Sequence, residues 1–466
     1  MSQSFQVNWH KTRYFELALF LFALTFRLFF LLNSGTENYY YDALWDARVY
    51  LDLGRNLASG NGYSVSPELF EISSAVFNAN PGPTSIEPPL YPLIIATSIT
   101  LFGDTYFPLR VIQAVAGALT AIVIFRLGKR SVSPEVGIVA AALFSLHPPL
   151  IVYSRALSSE VFVILFVSLA VLNTLRFIDH LTVKNAILAA LPWTLAFLTR
   201  PENALYAVVT AVYALIVLWR DDRKKILQSI VYAIPGVITF VLLWGVWVLH
   251  NWNLHEAFIP ATTLSGANMW EYNYFRYYQA NDPDRYPEDM LPEFIDVPDW
   301  DNLSEIERDE ALGALGMNFI REYPAEFVKF GFSRILMSYP MIPRTSEWEA
   351  SDEVFVGLDE VPIGEVVVSD SPVYSTTFGR VSLWGFRVVF ISAILGTIVA
   401  LRKRHPEAIL FAAIVGMNIA SAFLIRGQER ARLQIEPFIL LLAAIFIVVA
   451  LNWILSRFGQ SRSRSQ

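Results

Sequence analysis

Long apolar runs alternate with short polar connectors along most of the chain. Ten runs stand out, at about residues 14–32, 107–128, 134–152, 157–177, 185–199, 203–219, 228–249, 382–401, 407–425 and 436–456. Each comes near the ~20 apolar residues that a bilayer crossing needs, with 185–199 the short one. Pro88 to Phe102 is apolar too, but is only about 15 residues long. A segment that short more often lies in the interface or re-enters, so it is expected as an outer-surface helix. Two polar stretches interrupt the pattern. Residues 33–106 form a first long loop, with a second helix expected over Asp46 to Ala58. Residues 250–381 form a lobe in which Ser304-Glu305-Ile306-Glu307 is a capping-box pattern opening a helix to about Arg321. Pro324 then starts an amphipathic helix over Ala325 to Met337. The expected fold class is an all-α polytopic membrane protein. Its parts are an N-terminal transmembrane module (1–249), the lobe (250–381), and C-terminal helices with a basic tail (382–466).

Charge orients this arrangement. Residues 250–381 hold 24 Asp+Glu against 8 Lys+Arg, while the short connectors are basic. These include Lys129-Arg130, Arg220 to Lys225 and Arg402-Lys403-Arg404-His405. Basic connectors stay in the cytoplasm, so the lobe faces outward and both termini face inward. A crossing by Pro88–Phe102 would invert every later connector. The hydrophobic fraction of 54%, mean hydropathy of +0.43 and 17% charged residues fit no soluble chain of 466 residues. With no cysteine, disulfides, thiolate chemistry and Cys-ligated metal are excluded. The acidic balance argues against nucleic acid as a partner, and membrane lipids are the expected surroundings. No GxGxxG or P-loop is present, and no connector expected in the cytoplasm could house a nucleotide-binding domain.

Four places could carry chemistry. Asp46, just beyond the first span, shares a helix face with Tyr50 and is placed to act as a general base for a hydroxyl; its structural reading is a helix cap. Glu160 opens an otherwise apolar run to Val171, an expensive position for a carboxylate. Arg155 and Arg200 lie in outer connections, where basic residues oppose the charge rule and where a guanidinium fork suits a phosphate. The run Arg426 to Pro437 adds Arg430 and Arg432 and is the strongest local violation of that rule. Asp282-Pro283-Asp284 resembles a pair for a divalent ion, but such a match comes cheaply in so acidic a loop. No cofactor is certain from the sequence, and a divalent metal is possible but not indicated.

Taken in order, these segments resemble the GT-C glycosyltransferases, in the branch of the protein O-mannosyltransferases and lipid A aminoarabinose transferases. The resemblance rests on Asp46 to Tyr50, Gly60-Asn61-Gly62-Tyr63, Pro88-Pro89-Leu90-Tyr91-Pro92, His147 to Glu160, Leu198-Thr199-Arg200-Pro201, Tyr323-Pro324 and Arg430 to Pro437. It implies an enzyme of the plasma or inner membrane that takes a sugar from an outward-facing polyprenyl-phosphate donor. The sugar passes with inversion to a hydroxyl of a protein, lipid or glycan. Asp46 would be the catalytic aspartate, with Glu160 beside it. Arg155, Arg200, Arg430 and Arg432 would hold the donor phosphate, and Tyr50, Glu87 and Tyr91 would line the substrate site. Two departures stand out. The family's Asp-Glu pair reads Asp46-Ala47 here, and Glu87 stands where aminoarabinose transferases carry lysine. A transporter or flippase is the alternative; it predicts helices broken at the midplane and repeated halves, and neither is visible.

Overall fold

The computed structural model describes residues 12–33, 45–72, 80–275, 277–278, 297–341, 377–427 and 429–463. Asp42, the Asp282-Asp284 pair and much of the acidic lobe lie outside these residues. Eight of the described helices are long and apolar enough to cross a membrane: Thr12–Asn33, Tyr106–Ser131, Glu160–Asp179, Ala204–Asp221, Arg223–His255, Thr377–Lys403, Pro406–Leu424 and Glu436–Ser463. The protein is thus an all-α multi-pass membrane protein, as the hydropathy pattern predicts.

Among the described residues, two of the ten expected runs form shorter helices. The runs 134–152 and 185–199 fall on Pro134–Leu146 and Val183–Thr199, of 13 and 17 residues. At ~1.5 Å per residue these reach roughly 20 and 26 Å, against a hydrocarbon core of ~30 Å. The first stops because His147-Pro148-Pro149 follows. Proline supplies no N–H and drives the preceding residue out of the helical region, and His147 is extended at φ −69°, ψ 115°. The chain resumes as the short helix Pro148–Val152. Leu90–Phe102 is also a short apolar helix, of 13 residues.

Packing centres on the last helix, where Phe438 to Ala444 are almost wholly buried and Thr377–Lys403 lies alongside. Tyr106–Ser131 meets Pro134–Leu146 at two glycines. A Cβ on Gly128 would come within 2.6 Å of the Gly137 Cα, and one on Gly137 within 2.4 Å of the Phe125 carbonyl. Small residues let backbones approach where lipid supplies no hydrophobic drive between helices. The reverse holds on Arg223–His255, which leaves Leu242 and Val246 about two-thirds exposed. That face suits hydrocarbon, not water.

The first long loop is folded back on the bundle. Trp45–Ser59 ends at Gly60 and Gly62, both with φ near +80°, and a short antiparallel ladder follows. Ser64 pairs with Pro83 and Val65 with Gly82. The next residues are stapled from the lobe side. Glu305 lies in the first turn of Glu305–Glu322, behind the Ser304–Glu307 capping box. Its carboxylate accepts from Thr84 Oγ1 at 2.8 Å, from the Ser85 backbone N–H at 3.0 Å and from the Thr263 hydroxyl. From Arg223–His255, His250 reaches the Thr84 carbonyl and Asn251 accepts from the Ser85 hydroxyl. Arg334, fully buried, donates to the Tyr272 and Phe423 carbonyls and so ties the lobe to Pro406–Leu424.

Candidate active site

Three connections far apart in sequence meet at one end of the bundle. Asp46 sits in the first turn of Trp45–Ser59, an N-terminus that favours a carboxylate. Arg200 closes Val183–Thr199, and Arg430 lies in Glu429–Leu433. Beneath them, at 0% exposure, Glu160 begins Glu160–Asp179. One Glu160 oxygen accepts from Arg200 Nη2 at 2.7 Å and from Arg430 Nε at 2.9 Å; the other takes the Ser158 hydroxyl. Held from below, both guanidiniums turn toward Asp46. Arg430 Nη2 donates to Asp46 Oδ2, and Arg200 Nη2 stands 3.8 Å from the same oxygen. Arg200 Nε also donates to Ser159 Oγ at 2.9 Å, which fixes the plane of the fork.

Above this cluster opens a cavity of about 460 Å³. Asp46, Tyr50, Glu87, Arg200 and Arg426 line one part of it, and Asn268 and Glu271 of the lobe close another. Glu202 lines it too, accepting from Gln434 Nε2 at 3.1 Å. Burial alone would raise the Asp46 carboxyl. The charges of Arg430, Arg426 and Arg200 outweigh it and hold the carboxyl well below the usual carboxylate range. Glu87 moves the other way. Burial, then the negative charge of Asp46, push it up to about 8, with Arg200, the Tyr50 hydroxyl and Arg430 opposing less strongly. The arginines thus favour the ionised form of one carboxyl, while burial and that charge favour the protonated form of its neighbour. Among the described residues no group of three or more His, Asp or Glu is arranged to hold a metal ion.

Several expected site residues lie elsewhere. Arg432 does not face the cavity. Its Nε pairs with Glu436 at 3.0 Å, Nη1 donates to the Ser338 carbonyl at 2.7 Å, and the guanidinium stacks 3.7 Å from the Phe386 ring. It stands two residues from Arg430 in a short helix, so it points to a different side. Arg155 is buried away from the cavity, and its carbonyl accepts from Arg110 Nε. Tyr91 is fully buried behind the lining, its hydroxyl given to Gln113 Oε1 at 2.7 Å and its ring against Tyr50. Glu160 braces the arginines and touches no open space, because its carboxyl is committed to ion pairs. Conversely, Arg426, Glu202 and Gln434 line the cavity. Arg426 belongs to the run that breaks the charge rule, and Glu202 adjoins Arg200-Pro201, so a signal existed for both. Nothing in the sequence links Thr84 and Ser85 to Glu305.

Known proteins place this geometry in context. Residues 86–248 match the family described as dolichyl-phosphate-mannose-protein mannosyltransferase. No curated protein matches the sequence. The oligosaccharyltransferase of Archaeoglobus fulgidus in the apo form superposes with a TM-score of 0.56 at 12% identity, over 98% of this chain and 52% of that one. The chain thus spans about half the length of that oligosaccharyltransferase. ArnT from Cupriavidus metallidurans aligns at 13% identity, with TM-scores of 0.35 in the apo state and 0.38 bound to undecaprenyl phosphate. These alignments cover 86% and 95% of this chain and 72% and 78% of ArnT. A helical membrane bundle that follows the course of that oligosaccharyltransferase, with a mannosyltransferase-family match over residues 86–248, has the GT-C fold.

Proposed function

We propose that this chain is a membrane glycosyltransferase that moves a sugar from a polyprenyl-phosphate donor to an acceptor hydroxyl. One observation carries the reading. Asp46, Arg200 and Arg430, from three separate connections, meet beside a cavity large enough for a sugar and an acceptor group. The mannosyltransferase match over residues 86–248 supports a donor of this type. Arg200, Arg430 and Arg426 bind the donor phosphate as forks and charges. The phosphate competes with Asp46 for the arginines and frees its carboxylate. Asp46 then takes the acceptor proton as the hydroxyl oxygen attacks the anomeric carbon from the face opposite the phosphate. The sugar–phosphate bond breaks with inversion, and the charge that develops on the leaving phosphate is met by arginines already in place.

The basic connectors support a reading in which this end of the bundle faces the extracytoplasmic side of the plasma or inner membrane. There a lipid-linked sugar is available and nucleotide sugars are not. The lobe, through Thr262, Asn268 and Glu271, borders the acceptor side of the cavity. The acceptor class is a hydroxyl of a protein, lipid or glycan.

The test uses the full chain in liposomes with polyprenyl-phosphate mannose and a membrane extract that supplies the hydroxyl acceptor, following release of polyprenyl phosphate. Wild type should release it, and Asp46→Asn should slow release roughly 10²–10⁴-fold, the range of a general base. Binding of polyprenyl phosphate should survive in the variant, since the arginines lose only their internal competitor. Release by Asp46→Asn at the wild-type rate would overturn the assignment.

A further inference from the structure

The cavity holds a second carboxyl that the mechanism above does not use. Glu87 lines it at 9% exposure and is held by its neighbours rather than by a helix. Its carbonyl accepts from the Tyr63 hydroxyl at 2.7 Å. Two residues earlier, the Ser85 N–H and hydroxyl are fixed by Glu305 and Asn251. Its carboxyl is hydrogen-bonded to the Tyr50 hydroxyl, one helical turn beyond Asp46 on the same face. A loop stapled on three sides thus presents one carboxyl beside Asp46. Such rigidity is what a group touching reactants needs.

We propose that Glu87 is the carboxylate that finally holds the proton lost by the acceptor hydroxyl, and so is a second catalytic residue of this site. The inference rests on the transferase reading. In the balanced step the acceptor O–H bond breaks and its oxygen bonds to the anomeric carbon. The bond from that carbon to the phosphate oxygen breaks, and the electron pair leaves on the phosphate against Arg200 and Arg430. The proton, taken on the Asp46 side, passes to Glu87, which must be ionised beforehand. The geometry favours this division of labour. Asp46 is paired with two guanidiniums until the phosphate competes for them, and the positive charge around it keeps it a weak base, able to take the proton only in passing. Glu87 is hydrogen-bonded to the Tyr50 hydroxyl, and burial, then the charge of Asp46, make it the stronger base. The groups facing it are Asp46 and Tyr50 from one helix, Tyr63 from the turn beyond, and Arg200 and Arg430 from the far wall. Glu305 and His250 lie on the other side of its loop.

The sign of the pH effect follows. A base must be deprotonated, so turnover should rise with pH and level off above about 8. The experiment measures polyprenyl phosphate release from polyprenyl-phosphate mannose, with the same acceptor extract, across about pH 5.5–9.5, roughly two and a half units below and one and a half above an ionisation near 8. It compares wild type, Glu87→Gln and Glu87→Asp, each in liposomes. Glu87→Gln should lose roughly 10²–10⁴-fold at pH 8 and lose the rising limb, while Glu87→Asp keeps a rising limb at a reduced rate. A merely structural glutamate would lower the rate without removing the limb, and that result overturns the proposal. So does Glu87→Gln that keeps both rate and limb. Wild type that releases no phosphate overturns the transferase reading itself, and the role of Glu87 falls with it.

Discussion

Glu160 shows how one residue can be important without meeting substrate. Its carboxylate is wholly buried and is held by two arginines and a serine. Removing it leaves Arg200 and Arg430 facing each other without their common partner. Breaking a buried pair in this way costs about 3–5 kcal/mol. Glu160→Ala should therefore lower the thermal unfolding temperature in detergent as well as abolish turnover, and lower it more than Asp46→Asn, whose carboxylate is partly exposed where that of Glu160 is wholly buried. Arg200→Lys tests the fork itself. Lysine keeps the charge but cannot serve Glu160, Ser159 and a phosphate together. Polyprenyl phosphate binding should weaken by about tenfold or more, the equivalent of ~1.4 kcal/mol, as read by a binding isotherm. The charge pattern exposed both residues in the sequence. It could not separate Arg430 from Arg432, because that depends on which way a five-residue helix is rotated.

Elements decide how the cavity is walled. The segment Thr84 to Glu87 has no helix or long strand to fix it, and its order comes from Glu305, 220 residues away from Ser85. The capping box that begins Glu305–Glu322 is legible in sequence as a helix start. Its position against the first loop is not. Glu305→Ala strands the Ser85 N–H and the Thr84 hydroxyl at a buried site, which costs about 1–3 kcal/mol for each unsatisfied group. Hydrogen exchange across residues 80–90 should rise, and donor turnover should fall, while exchange in Glu436–Ser463 stays unchanged. Protection of residues 80–90 equal to wild type would remove Glu305 from this role.

At the scale of the molecule, the bundle has two ends of different character. Glu160–Asp179 carries the ionic cluster on its first residue and the partner of Arg130 on its last, roughly 30 Å away for 20 residues. Arg130 also binds Glu407, and Arg126 binds Glu16, so the basic connectors share that second end. Cysteines introduced one at a time into this cysteine-free chain give a clean map. A cysteine at Lys184 or Arg404 should react with an impermeant reagent only after the membrane is opened. One at Glu322, in the lobe, should react in intact cells. The reverse pattern would turn the site toward the cytoplasm and remove the argument for a lipid-linked donor.

The sequence alone determined the class of protein, because hydrocarbon admits only a narrow composition and length for a helix that crosses it. It also determined where the unusual charges are, since an acid or an arginine at the end of an apolar run is costly and so conspicuous. Glu160, Arg200 and Arg430 stand out in this way, and Asp46 by its place in the loop after the first span and by the family resemblance. Tertiary structure decided which of these charges share a space. Arg432 and Tyr91 carry the same local signals as their neighbours, yet turn into other contacts. Glu202, Arg426 and Gln434 join the cavity. The Pro134–Leu146 break and the shortness of Val183–Thr199 were decided at this level too, by helix ends rather than by hydropathy. Hydropathy is summed over a window, whereas direction and proximity depend on rotation about each helix and on contacts between residues hundreds of positions apart.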